Sequence, residues 1–146
     1  MDVMTREQRS KCMSRIRSSD TKPEIFFRKA LWKMGVRYRK NVKKLFGKPD
    51  VAIQKYKLAI FIDGDFWHGN GWEKRHFSSR EEMLSSYTDY WQKKIRRNIE
   101  RDREVNEYYR NSGWSILRFW QSDIEKDLNE CLIRTLKTVD SKKRNR

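Results

Sequence analysis

The run Lys57-Leu58-Ala59-Ile60-Phe61-Ile62 limits the fold more than any other stretch of this chain. Five successive apolar residues, with no polar alternation, suit a strand covered on both faces. Such a strand belongs at the centre of a sheet packed between helices. It leads into Asp63-Gly64-Asp65, so an acidic turn sits at the carboxyl end of a buried strand.

The flanking segments extend this reading. Thr21-x-x-Glu24 is a capping box with Pro23 in the first turn, and Ile25, Phe26, Ala30, Leu31 and Met34 suit the buried face of a helix that stops at Gly35. Val36 to Val42 reads as an edge strand. Asp50 to Ile53 is a short strand, and Gln54-Lys55 a turn. Gly64 to Ser86 reads as a loop. Tyr87 to Asn111 is the longest helix, with Trp91, Ile95, Asn98, Asp102, Val105 and Tyr109 at helical spacing. Gly113 ends it, and Trp114 to Trp120 is a further strand. Ser122-x-x-Glu125 opens a last helix to about Leu136, and Ser141 to Arg146 is expected to fray. Ahead of the core, Thr5-x-x-Gln8 starts a basic helix to about Arg17. The expectation is one α/β domain over residues 1–146, with a basic helical arm at 1–19, a core at 20–137 and a basic tail at 138–146. Its element order is αβββαβ around a mixed sheet.

Charge narrows the partner. The formal net charge is +15, which favours a polyanion. No apolar run approaches the roughly 20 residues that span a bilayer, and Met1 to Ser19 have no apolar signal segment. No membrane partner and a cytoplasmic location are therefore expected. Cys12 and Cys131 form no Cys-x-x-Cys pair, so two free thiols are expected rather than a thiolate zinc site.

Against that basic background the acids stand out. Asp50 heads a strand directly after Pro49, and His68 follows Asp63-Gly64-Asp65-Phe66-Trp67. A hard divalent cation such as Mg²⁺ needs one or two carboxylates and substrate oxygens. A backbone carbonyl near Ile62 or Asp63 can add another oxygen. Histidine has an ordinary pKa near 6.5 and suits a general base at neutral pH. Asp102 lies four residues after Asn98 on one helix face, close to Lys94, where an acid can orient His68. Glu24 can approach from the first core helix. Each residue also has a plainer reading. Asp50 can initiate a strand, Asp63 can stabilise the Gly64 turn, and His68 can be a loop residue. Glu24 can be a cap, and Asp102 one member of the charged run Glu100 to Glu104. Trp91 and Trp114 suit the core, whereas Phe66-Trp67 suits a wedge entering a base stack. The pattern points to metal-dependent phosphodiester cleavage. A non-catalytic DNA-binding protein is the alternative, but carboxylates repel phosphate unless a cation bridges them.

Five stretches in this order resemble the very-short-patch-repair (Vsr) mismatch endonucleases. They are Arg9 to Ile16 leading to Asp20-Thr21 and Glu24; Gly47-Lys48-Pro49-Asp50-Val51; Phe61 to Gly69; Tyr90-Trp91-x-x-Lys94-Ile95-x-x-Asn98-x-x-Arg101-Asp102; and Gly113-Trp114-x-Ile116-Leu117-x-Phe119-Trp120. The resemblance implies a restriction-endonuclease-like core and Mg²⁺-dependent nicking of double-stranded DNA beside a T·G mismatch. By position it implies Asp50 as principal metal ligand, Ile62 as carbonyl donor and His68 as general base. Glu24, Asp63 and Asp102 match the remaining active-site positions. Met13, Phe66 and Trp67 match intercalating side chains, and Lys11, Arg15, Lys94 and Asn98 are expected to contact DNA. Monomeric action would suit a single-strand nick. The family's structural zinc positions read Asp65, Asn70, Trp72 and Ser122 here, so no zinc is expected, and Trp72 and Phe77 are expected to pack the loop instead. Related cores also occur in homing-type endonucleases that cut intact duplex.

Overall fold

The computed structural model describes residues 20–145. Its centre is a four-stranded sheet in the order β1 (Arg39–Lys40), β2 (Val51–Ile53), β3 (Leu58–Asp63), β4 (Ser115–Trp120). The first two pairings are antiparallel and the β3–β4 pairing is parallel. A parallel neighbour needs a crossover. Here it contains α2 (Arg80–Ser85) and the long α3 (Asp89–Asn111). Helix α1 (Lys22–Lys33) precedes the sheet, while α4 (Gln121–Lys126) and α5 (Leu128–Arg144) follow it.

All six residues of β3 are buried, as a strand covered on both faces requires. Alternation sorts them. Leu58, Ile60 and Ile62 join Phe27, Leu31, Phe119 and Leu132 in the core beneath α1 and α5. Ala59 and Phe61 join Val105 and Tyr109 of α3 on the other face. At roughly 2 kcal/mol for each fully buried Leu or Ile, these two layers are the main favourable term in the fold. Asp63 continues the second set and so points toward α3.

Several expected boundaries shift for visible reasons. The edge strand shrinks to two exposed residues, Arg39 and Lys40, because β2 offers only Val51 and Ala52 to pair with it. Gln54–Tyr56 is one 3-10 turn, closed by Lys57 in the left-handed region at φ 50°. The segment from Gly64 to Ser86 is not all loop. Ser79 caps α2 by accepting from the Glu82 N–H at 3.1 Å, and Glu82 accepts from the Ser78 N–H at 3.2 Å. Met83 and Leu84 then bury with Tyr87, Trp91 and Ile95 in a satellite core, against which Trp67, Trp72 and Phe77 pack. The last helix is two helices, because Asp127 caps a second one through the Glu130 N–H at 3.1 Å. That helix runs to Arg144 rather than stopping near Leu136, since Thr135 and Val139 extend its buried stripe. The Ser122 hydroxyl bonds Asp65 and does not cap α4, which starts at Gln121. Among the described residues Cys131 is a buried free thiol, and no helix is long and apolar enough to cross a membrane. The expected arm helix, and Cys12 within it, lie outside the described residues.

Candidate active site

The carboxyl ends of β3 and β4 carry the chemistry. The parallel register sets Arg118 opposite Phe61 and Trp120 opposite Asp63. Arg118 shares the α3-facing side with Asp63, and its guanidinium lies 4.3 Å from the centre of the Phe61 ring. Arg118 Nη1 donates to both oxygens of Asp63 at 3.0 Å, and its Nε donates to Asn106 Oδ1 at 2.7 Å. Asp102 projects from α3 into the same space, 3.5 Å from Arg118 Nη1. His68, on the loop after β3, places Nδ1 2.5 Å from Asp102 Oδ2 and Nε2 3.9 Å from Asp63 Oδ1. Burial pulls the His68 pKa down. The hydrogen bond to Asp102 and the charges of Asp63 and Asp102 outweigh it, so the imidazole ends above its ordinary value. Burial raises Asp63 against the opposing pull of Arg118 and His68.

The second acidic pair lies alongside. Asp50 sits just ahead of β2, where its Oδ2 accepts from the Ile62 N–H at 2.6 Å. Burial, then the neighbouring charge of Glu24, pushes Asp50 up to about 7, and Asp63 adds to the effect. Glu24 is 2% exposed. It accepts from the Asp20 N–H at 2.8 Å and from Arg28 at 3.4 Å, so it closes the start of α1 one residue earlier than a capping box would. The Thr21 side chain makes no cap; its hydroxyl accepts from Gln121 at 3.3 Å. Burial raises the Glu24 carboxyl as well. Gly47, at φ 77°, forms the floor: a Cβ there would lie 2.8 Å from both methyls of Val105. One concavity is lined by Asp50, Ile62, Asp63, His68, Asp102 and Arg118.

These groups suit a divalent cation. Ligand atoms of Asp63, His68 and Asp102 lie within 4.8 Å of one another. However, His68 Nδ1 is already paired with Asp102, and Asp63 with Arg118. Asp50 is the better holder, because among the described residues its Oδ1 has no hydrogen-bond donor and its nearest strong neighbours are acids. A strand residue directs its N–H and C=O to the same side. The Ile62 carbonyl therefore faces the edge that its N–H shares with Asp50.

The loop carrying His68 is anchored at several points. Asp65 accepts from the Ser122 N–H at 3.0 Å, the Ser122 hydroxyl at 2.5 Å and the Asn70 amide at 2.7 Å. Asn98 donates to the Trp67 carbonyl at 2.9 Å, and Arg80 to the Gly69 carbonyl at 3.1 Å. Phe66 is 40% exposed and packs edge-on against Trp67 and Trp91. Trp67 is more deeply set, 5.4 Å from the Trp91 ring.

Comparison with known proteins identifies the family. The model of the DNA mismatch endonuclease Vsr family matches residues 1–74. The chain is 44% identical over 142 residues to the type II nicking enzyme V.NmeDIP of Neisseria meningitidis serogroup C, covering 97% of this chain and 93% of that protein. It is 43% identical over 140 residues to the type II nicking enzyme V.HpaIIP of Haemophilus parainfluenzae, covering 95% and 96%. It is 31% identical over 138 residues to the DNA mismatch endonuclease Vsr of Escherichia coli K12, covering 92% and 85%. The chain belongs to the Vsr family. It is a DNA endonuclease, and DNA is its substrate.

Within this Vsr-family enzyme, the structure brings Asp50, Ile62, Asp63, His68 and Asp102 around one concavity, with Glu24 buried near Asp50. Lys94 is exposed on α3. Asn98, expected among the DNA contacts, uses its amide to hold the loop. Lys11, Met13 and Arg15 lie outside the described residues. Of the positions where Vsr relatives were expected to bind zinc, Asp65, Asn70 and Ser122 are joined by hydrogen bonds and Trp72 packs in the satellite core. Arg118 was missed. Strand alternation puts it on the face of Ile116, but only the β3–β4 register brings it to Asp63.

Proposed function

We propose that this enzyme is a Mg²⁺-dependent nickase that cuts one strand of duplex DNA beside a T·G mismatch, acting as a monomer on a restriction-endonuclease-like core. The Asp102–His68 pair carries the reading. With its Nδ1–H donated to Asp102, a neutral His68 keeps the Nε2 lone pair available to accept a proton. The attacking water then bonds to phosphorus, its proton passes to Nε2, and the bond to the leaving deoxyribose oxygen breaks as that oxygen takes a proton from solvent. Mg²⁺ held by Asp50 and the Ile62 carbonyl would neutralise charge on the phosphoryl oxygens. The excess of buried acid around Asp50 supports a cation there. The exposed Phe66 ring and the partly covered Trp67 support a wedge at the base stack. Mismatch specificity is further supported by the family and by the relative from E. coli that is named a mismatch endonuclease.

The test is cleavage of labelled duplexes, with and without T·G mismatches, in Mg²⁺ against EDTA. The expected result is a nick confined to mismatched duplex and lost in EDTA. Cleavage of fully paired DNA at a defined site would favour homing-type activity instead. Absence of Mg²⁺-dependent cleavage across metals and substrates would overturn the catalytic mechanism.

A further inference from the structure

We propose that Arg118 is a catalytic residue that donates from Nη2 to a non-bridging oxygen of the phosphodiester being cleaved. This rests on the nickase reading above and adds a substrate contact that the sequence motifs did not reveal.

Three sides of the guanidinium are already fixed. Nη1 is held by both oxygens of Asp63, Nε by Asn106, and the flat face by the Phe61 ring. The fourth side is open. Among the described residues Nη2 has no acceptor, and it is not one of the buried polar atoms lacking a partner, so solvent reaches it. The side chain as a whole is 19% exposed. Arg118 lines two adjoining concavities, and both also expose Asp63, His68 and Asp102. A phosphate that sits close enough for His68 to serve its attacking water also comes within reach of this edge. A donor held in place before the reaction costs no reorganisation as charge builds on the phosphoryl oxygens.

Charge balance leads to the same assignment. Asp63 puts a carboxylate where a polyanion must approach, and an unpaired carboxylate there would repel it. Arg118 offsets that charge and leaves the two N–H bonds of Nη2 for phosphate, while Nη1 and Nε hold the plane on Asp63 and Asn106, an anchorage that a single lysine nitrogen does not supply. A purely neutralising arginine would not need a solvent-facing nitrogen beside the general base.

The experiment is single-turnover nicking of mismatched duplexes with phosphorothioate in each configuration at the cut bond, using wild type, Arg118→Met, Arg118→Lys and Asp63→Asn/Arg118→Met. Wild type must nick the all-oxygen duplex; if it cuts nothing, the nickase reading fails and takes this proposal with it. The expected result is a loss of roughly 10²- to 10³-fold in rate for Arg118→Met, the size seen when one preorganised donor is removed. DNA affinity should change by less than about threefold, because phosphate contacts elsewhere dominate binding. One sulfur configuration should slow wild type, and that penalty should disappear in the variant. The double variant should stay slow. Recovery of its rate would show that Arg118 only neutralises Asp63, and an unchanged sulfur penalty in Arg118→Met would place the contact elsewhere; either overturns the assignment. If Arg118→Met loses its native far-UV spectrum, Arg118→Lys decides, since it keeps the charge but has no second nitrogen to donate while the first stays on Asp63. A wild-type rate and sulfur penalty in Arg118→Lys would refute the proposal.

Discussion

Asp50→Asn should make the metal-free protein more stable at pH 8, although the residue lies at the centre of the site. Its carboxyl is raised from 3.8 to about 7, chiefly by burial and then by Glu24. A folded-state pKa above the unfolded value means that its stabilising contribution is complete below pH 3.8 and is lost as pH rises through about 7. Above that point the ionised carboxylate weighs against the fold. A shift of about 3 units corresponds to roughly 4 kcal/mol as an upper bound. Water reaching the partly exposed side chain lowers the expected gain to about 2 kcal/mol. Asparagine is neutral at every pH and still offers an oxygen to the Ile62 N–H, so it escapes the penalty and keeps the contact. For a chain of this size the gain is a rise in Tm of about 4–8 °C at pH 8, falling to somewhat over a third of that at pH 5 and vanishing only below the ordinary carboxylate value of 3.8. The assay is thermal melting at both pH values, with and without Mg²⁺. Mg²⁺ at about a hundred times its Kd should stabilise wild type at pH 8 by roughly 2.7 kcal/mol and leave Asp50→Asn unmoved. A lower Tm for the variant at pH 8, or an equal Mg²⁺ response in both proteins, would refute the reasoning.

Further outcomes are expected at neighbouring residues. His68→Ala should slow single-turnover nicking by roughly 10²- to 10⁴-fold; a change below about fivefold would assign proton transfer to another group. Because His68 must be neutral to accept a proton and its pKa lies above the ordinary value, the rate should fall as pH drops through that raised value. Asp102→Asn should move this acid limb to lower pH while reducing the maximum rate, and a pH–rate profile with an unmoved limb would break the link. Asp65→Ala removes the acceptor for three hydrogen bonds and should cost about 1–3 kcal/mol in urea melts; an unchanged midpoint would leave the loop's anchorage to its aromatic packing. Phe66→Ala should reduce preference for mismatched over paired duplex in competition binding, and equal weakening on both would make Phe66 a packing residue.

Much of this architecture was legible because it depends on local periodicity. The apolar run of β3 and the helical spacing from Trp91 to Tyr109 each state their own burial. Helix α2 was hidden by the glycines and charges around it, although Ser79-x-x-Glu82 carries the same signal as the boxes that were read. The same holds for Asp127-x-x-Glu130, which divides the last helix. Ser122-x-x-Glu125 misled for the opposite reason: a residue far away in sequence, Asp65, takes the hydroxyl. Arg118 shows the deeper limit. Its face follows from alternation, but its meeting with Asp63 depends on a parallel register between strands more than fifty residues apart, and no local pattern encodes that pairing.

Helix α3 gives the enzyme a ruler. Trp91 lies under the exposed Phe66 ring, Asn98 holds the Trp67 carbonyl, Asp102 holds His68, and Val105 meets Gly47 beside Asp50. At 1.5 Å per residue, the rise from Trp91 to Asp102 is about 16 Å along one uninterrupted rod. On the proposed function, the spacing between the Phe66 ring and the general base is set by the helical residues that anchor their loop. One residue inserted between Trp91 and Asp102 would turn the later positions by about 100°, and on the proposed function it would uncouple recognition from cleavage even with every one of these side chains still present.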